Sequence, residues 1–297
     1  METRDTESTS AIRVRGLQKR YGDRVVLDGI DLDIAPGETY ALLGPNGAGK
    51  STAIEILEGL RRPSAGEVSV LGRTPLSAPR SWRGRIGIVA QQTGDLGPFT
   101  ARELVARFHR VYPNPRPVDK VLHLVGLTER AGVRATKMSG GQQRRLDVAL
   151  GIVGRPDLLF LDEPTTGFDP DARRQFWSML RTLTEEGTSI LLTTHYLDEA
   201  AHLADRVGVL SAGAIVAEAP PESLGGPEAR IPEVRWRDAN GRQRIERTDA
   251  PGHLVARLQR EWGAQEPPEL EIRRPNLEDI YLDLIGADAP GRQGVPS

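Results

Sequence analysis

The sequence predicts an α/β protein built around a parallel sheet. Two wholly apolar runs, YALL at 40–43 and LLFL at 158–161, have the make-up of strands covered on both faces. Segments of helical periodicity alternate with such runs through most of the chain, the order expected of an α/β core. A glycine-rich loop, GPNGAGKS at 44–51, joins the first run to a helical segment.

Residues 12–34 hold short apolar alternations broken by Gly22, Asp23 and Gly29, which predicts strands joined by turns. The strand at 39–43 follows. After the loop, Ala53, Ile56, Leu57 and Leu60 recur at the i, i+3, i+4, i+7 spacing of one helix face. Helices are expected over 100–112 and 118–126, separated by Pro113, Pro115 and Pro117. Another follows Gly141, with Leu146, Ala149, Leu150 and Val153 on one face. The run at 158–161 ends at Asp162, and helix, strand and helix then alternate over 171–186, 189–193 and 197–204. Beyond Pro220, Pro221, Gly225 and Gly226, weaker strands at 233–236 and 270–273 and helices at 253–262 and 276–285 describe a small appended α+β domain. The expected division is a domain over 11–224 and an accessory domain over 225–286. The ends, 1–10 and 287–297, are polar or rich in Gly and Pro and are expected to be disordered.

The chain has 297 residues, 39 basic and 41 acidic, for a net charge of −2. This is the composition of a folded, water-soluble protein, long enough for one large domain or two ordinary ones. With no cysteine, disulfides, thiolate metal sites, iron–sulfur clusters and a Cys nucleophile are excluded. The longest apolar runs fall far short of the roughly 20 residues of a membrane-spanning helix. The opening METRDTESTS lacks the apolar core of a signal peptide, which predicts a cytoplasmic protein. Near-neutral charge argues against a broad nucleic-acid-binding face. Lysine occurs only at Lys19, Lys50, Lys120 and Lys137.

Of these, Lys50 stands in the most informative context. Gly44, Pro45, Asn46, Gly47, Ala48, Gly49, Lys50 and Ser51, followed by Thr52, match the phosphate-loop pattern of two glycines spaced ahead of Lys and Ser. Glycine allows left-handed turns and close backbone approach to phosphate oxygens, and the unpaired N–H groups of the new helix point at them. Lys50 supplies a mobile positive charge for the β and γ phosphates, and the Ser51 hydroxyl is a ligand for Mg²⁺. At the end of the 158–161 run, Asp162 and Glu163 are delivered where ligands of open α/β sheets gather. Asp162 is placed to hold the magnesium shell, and Glu163 is the candidate base for the attacking water.

With these motifs in place, residues 12–224 resemble the ATP-binding subunits of ABC transporters. MSGGQ at 138–142 is similar to their LSGGQ signature and keeps Ser139, Gly140, Gly141 and Gln142; Met for Leu preserves an apolar side chain. The resemblance implies a P-loop NTPase core of the ABC type: a parallel sheet, an antiparallel β subdomain and a helical subdomain at about 92–154. It implies that Tyr21 stacks on adenine and that Gln91, beside Gln92, contacts Mg²⁺ and senses a membrane partner. It makes TGFD at 166–169, ending at Asp169, the D-loop, with Phe168 in place of the commoner Leu, and His195 the switch histidine that reaches the γ-phosphate. His109, His123, His202 and His253 have no metal-like spacing and read as structural or solvated.

In this family the signature faces ATP held by the other subunit. The resemblance therefore implies a head-to-tail homodimer around two ATP and Mg²⁺, closing on ATP and opening on hydrolysis. The stretch LDEAAHLADRVGVL, the following APPESL and the late PNLEDIYLDLIG at 275–286 are similar to the daunorubicin-resistance type of exporter ATPase. In that type a small C-terminal domain helps the subunits associate. Such proteins sit at the inner face of the cell membrane and drive a separate polytopic permease of the ABC type-2 class, here contacted through Gln91 and the segment up to Tyr112. Drug, antibiotic, lipid or glycan export all fit. Ribosome-acting relatives carry two cassettes and DNA-repair relatives carry long coiled coils, whereas this chain has one phosphate loop and no sustained heptads.

Overall fold

The computed structural model describes residues 10–91, 94, 96–263 and 265–287. The expected disordered ends, apart from Ser10 and Ala287, and Gln92 lie outside them. The chain divides into two compact units between Glu218 and Ala219.

The first unit opens with β1 (Ile12–Tyr21) and β2 (Arg24–Ile34), an antiparallel pair. Gly22, with φ +57°, turns the chain between them. Gly29 does not end a strand as expected; it lies within β2, opposite a register shift between Leu17 and Gln18. β3 (Thr39–Leu43) is buried at every residue, and α1 (Lys50–Leu57) follows the glycine-rich loop. α1 stops short of Leu60, which is 72% exposed rather than on the buried face; Ile54 takes its place in the core. The reason is Gly59, with φ +78°, packed so closely on Pro75 that a Cβ would lie 2.8 Å from its carbonyl oxygen. β4 (Ala65–Val70) pairs antiparallel with β1 to complete a three-stranded sheet, β2-β1-β4.

After the short α2 (Arg80–Arg83) and β5 (Ile86–Val89) come α3 (Ala101–His109), α4 (Val118–Leu124) and α5 (Gly140–Ile152). The two helices expected over 100–112 and 118–126 are each shorter than expected. In α5 the buried apolar positions are Leu146, Val148, Ala149 and Ile152, and Val148 takes the place expected for Leu150. β6 (Leu158–Asp162), α6 (Pro170–Glu185), β7 (Ser189–Thr193), α7 (Leu197–Leu203), β8 (Arg206–Ser211) and β9 (Ala214–Ala219) complete a six-stranded sheet ordered β5-β6-β7-β3-β8-β9. The pairs β5/β6, β6/β7, β7/β3 and β3/β8 are all parallel. Continuous apolar runs are what such doubly covered strands require, and Leu158, Leu159, Phe160 and Leu161 are all fully buried. α5 lies close against β5 because both bring glycine to the contact: a Cβ on Gly87 would lie 2.3 Å from the Gly151 carbonyl oxygen.

The second unit has its own sheet, β11-β10-β12. It comprises β10 (Glu233–Arg237), β11 (Gln243–Arg247) and β12 (Glu271–Arg273), all antiparallel, with α8 (Pro251–Glu261) and α9 (Leu277–Ala287). Val234, Leu254 and Leu258 form its core. Leu224, where the first domain was expected to end, is fully buried, and Gly225 packs on Ile280, so these residues belong by contact to the second unit. Among the described residues no helix is long and apolar enough to cross a membrane.

Candidate functional site

The site forms at the carboxyl ends of β3, β6 and β7, where loops leave a parallel sheet. Gly47 (φ +81°) and Gly49 (φ +109°) give the loop after β3 its left-handed turns. Gly44 and Gly49 are also sterically required: a Cβ would lie 2.4 Å from the Leu210 carbonyl oxygen at Gly44 and 2.7 Å from a Leu27 methyl at Gly49. Gly44, Ala48, Gly49 and Lys50 are buried, while Pro45, Asn46, Gly47 and Ser51 are exposed and Thr52 is half-buried. The loop thus presents a solvent-facing rim over an anchored base. Lys50 folds back and donates to the carbonyl oxygens of Gly44 (2.6 Å) and Pro45 (3.2 Å). Burial depresses its ammonium, against the pull of Glu163 and Asp162.

Ser51 Oγ donates to Asp162 Oδ2 at 3.3 Å, and the other Asp162 oxygen accepts from Thr193 Oγ1. An oxygen-only set of this kind suits a hard divalent cation that keeps water and substrate phosphates as its remaining ligands. Among the described residues no three His, Cys, Asp or Glu side chains gather into a metal cage, as that mode of binding requires none. Gln91 donates from Nε2 to Glu163 Oε2 at 3.1 Å, a bond that leaves the Gln91 amide oxygen free to turn toward a cation.

Glu163 is the centre of the constellation. Its other oxygen lies 3.4 Å from His195 Nδ1, so the carboxylate is bracketed by Gln91 and His195. Its backbone is left-handed, with φ +47°, a conformation that is uncommon outside glycine and clusters at functional sites. The Glu163 N–H is held by the Thr193 carbonyl (3.0 Å) and hydroxyl (3.3 Å). The His195 side chain is 45% exposed, and its ring lies tilted by 38° against that of Tyr196, the centroids 4.1 Å apart.

Lys50, Ser51, Asp162, Glu163, Gln91 and His195 are therefore brought together. The rest of the phosphate loop, Gly44 to Gly49, and Thr52 belong to the same place, whereas the signature residues, Asp169 and Tyr21 make contacts of their own. Ser139 caps α5 in a reciprocal capping box, its Oγ accepting from the Gln142 N–H and its N–H donating to Gln142 Oε1; Gly140 begins the helix and Gly141 lies in its first turn. Asp169 caps α6, accepting from Ala172 N–H. Tyr21, 42% exposed at the end of β1, lies beneath Lys19 Nζ at 4.9 Å and close to the Arg61 guanidinium.

Two participants escaped the sequence reading. Thr193 is wholly buried and ties β7 to both acidic residues. Arg144 is 5% exposed, and its guanidinium donates to the carbonyls of Ala90, Asp162, Glu163 and Pro164. Desolvation lowers its pKa, opposed by the charges of Asp147, Asp162, Glu163 and Glu199. The signal was present: Arg144, Val148 and Ile152 continue one stripe at i, i+4, i+8, so extending the apolar face of α5 backward lands on the arginine.

Comparison with known proteins gives the family. Residues 27–166 match the family model described as ABC transporter. The chain is 36% identical to the daunorubicin resistance ATP-binding protein DrrA3 of Streptomyces coeruleorubidus, over 94% of this chain and 97% of that protein. The chain belongs to the ABC transporter ATP-binding subunits, within the daunorubicin-resistance-like group. A Nod factor export ATP-binding protein I of Neorhizobium galegae is 38% identical over 94% of this chain and 86% of its own length. Among solved structures, a dimeric ABC cassette in a post-hydrolysis state with ADP and phosphate aligns with a TM-score of 0.64 and 26% identity, covering 70% of this chain and 98% of its own. As a member of this family, the chain is an ATP-binding subunit with ATPase activity.

Proposed function

We propose that two copies of this chain close head to tail around two ATP molecules and drive a separate polytopic permease of the ABC type-2 class. The pair would work at the inner face of the cell membrane and expel a drug, an antibiotic or another hydrophobic compound. The names of the relatives, daunorubicin resistance and Nod factor export, support outward transport. The solvent-facing start of α5 supports the dimer, since Ser139 and Gly140 are exposed and a helix N-terminus attracts an anion.

Each residue has a task in this reading. The N–H groups of 46–51 and Lys50 hold the β and γ phosphates, and Tyr21 offers its ring to the adenine. Ser51, Asp162 and Gln91 would hold Mg²⁺, which neutralises phosphate charge during transfer. Glu163 takes the proton of the attacking water while His195 orients the γ-phosphate. Asp169 and the signature residues Ser139, Gly140, Gly141 and Gln142 serve the nucleotide held mainly by the other copy. ATP binding favours the closed pair because the bound anion interacts with both copies, and its cleavage removes that preference.

The observation that carries this reading is the Glu163 carboxylate bracketed by Gln91 and His195 beside the phosphate loop. Glu163→Gln keeps the size and one acceptor oxygen but not the base, so it should retain ATP and slow turnover by about 10²- to 10⁴-fold. With Mg²⁺ and ATP it should elute as a stable dimer in gel filtration. Hydrolysis near the unmodified rate would remove Glu163 as the base. Purification from membranes with the partner chain identified tests the permease, and recovery without a polytopic partner would count against it.

A further inference from the structure

Arg144 is a charged side chain that fold stability alone does not explain. It is buried in the second turn of α5, yet all four groups that accept its hydrogen bonds are neutral carbonyls: Pro164 to Nε at 3.2 Å, Asp162 and Glu163 to Nη2 at 2.6 and 3.3 Å, and Ala90 to Nη1. A buried guanidinium costs more to desolvate than an apolar side chain of similar volume. What the guanidinium does is join three segments. Ala90 immediately precedes Gln91; Asp162 and Glu163 are the acidic pair; and α5 itself is capped by the signature residue Ser139. The peptide it holds is the strained one, for Glu163 is left-handed and is fixed on its N–H side by Thr193. Arg144 is the corresponding hold on its carbonyl side.

We propose that Arg144 is the positioning residue of the ATPase site: through the carbonyls of Ala90 and Glu163 it aims Gln91 and the Glu163 carboxylate and makes both follow the helix that Ser139 caps. This rests on the reading of Glu163 as the base. Engagement of Ser139 with nucleotide on the other copy is then felt at Glu163 through one rigid connection, because the guanidinium fork is planar and fixes several acceptors at once.

The test uses the full chain and two variants. Arg144→Met keeps length and apolar bulk and loses every donor; Arg144→Lys keeps the charge and loses the fork. We expect kcat for ATP to fall about ten- to a hundredfold in Arg144→Met, the scale of a misplaced reacting group, with a smaller fall in Arg144→Lys. Binding of a fluorescent ATP analogue should stay within about threefold, since the residue touches none of the phosphate loop. In a Glu163→Gln background, adding Arg144→Met should change the residual single-turnover rate by less than about twofold, the signature of two residues acting as one unit.

An undiminished kcat in Arg144→Met, or an equal loss of affinity and kcat, overturns the proposal. So does a full further loss in the Glu163→Gln background. Should Arg144→Met fail to fold, Arg144→Lys carries the same comparison, and rates equal to the unmodified protein overturn the proposal. Unimpaired turnover in Glu163→Gln alone removes the base, and the proposal with it; collapse in Glu163→Gln beside full activity in Arg144→Met removes the proposal only.

Discussion

Replacing Lys50 by Ala separates nucleotide binding from fold stability. The ammonium donates to two neutral acceptors, the carbonyls of Gly44 at 2.6 Å and Pro45 at 3.2 Å. ATP offers charged oxygens instead. Hydrogen bonds to charged groups contribute about 1.5–3 kcal/mol each, against about 0.5–1.5 for neutral ones, so each exchanged contact gains roughly 1 kcal/mol or more. The accompanying Coulomb attraction is bounded near 4 kcal/mol at about 4 Å with an effective dielectric of about 20. A net loss of about 2–4 kcal/mol follows for Lys50→Ala, or a roughly thirtyfold to nearly thousandfold rise in Kd. Stability responds differently, because removing the ammonium gives up two hydrogen bonds but also relieves a charge that burial disfavours. These effects oppose one another, and the melting temperature without nucleotide should move by only a few degrees, about 1 kcal/mol or less. Titration with a fluorescent ATP analogue and a thermal melt of the same sample measure both. An affinity within twofold of the unmodified protein, with an intact melt, would refute the assignment of Lys50 to the phosphates.

Two further outcomes follow. Glu58 is buried beneath the site, and burial, with the charges of Asp162 and Glu55, pushes its pKa up to about 8 from 4.5. The folded state therefore holds a proton that the unfolded state releases between about pH 4.5 and 8, so stability falls as pH rises through that window. Glu58→Gln should leave the melting temperature at pH 5 nearly unchanged and raise it by several degrees at pH 8, on the order of a few kcal/mol; equal melting shifts at both pH values would contradict this. Truncation after Glu218 removes a unit with its own core and should leave ATP-analogue affinity within about threefold. It should weaken the ATP-dependent dimer by about a hundredfold, as expected when one of two linked contacts is lost, and an unchanged dimer constant would exclude an assembly role for that unit.

The sequence was most informative where a local backbone requirement and a chemical one coincide. Glycine at 44, 47 and 49 serves turns and close packing that any phosphate loop needs, and LLFL at 158–161 is buried throughout because the sheet is covered on both sides. Elements held by distant contacts were less legible. Leu60 continues the helical spacing of α1 in sequence, but a close approach of Gly59 to Pro75 ends the helix first. β11 passed unnoticed because QRIER is exposed at every residue and has no apolar alternation to reveal it. Arg144 was missed for a related reason, since beside Arg145 it looks like part of a solvated face.

The signature segment shows why a short motif can be legible and still ambiguous. Ser139 and Gln142 satisfy each other's backbone groups in a capping box, a sufficient structural reason for Ser at the cap and Gln three residues later. Nothing in that box requires glycine at 140 and 141: neither has positive φ, neither is crowded at its Cβ position, and Gly140 meets no atom within 4 Å. Two consecutive glycines at a helix start sacrifice helix propensity relative to Ala. A bare backbone there leaves the exposed N–H groups open to an anion, the one role in this segment that a capping box does not supply.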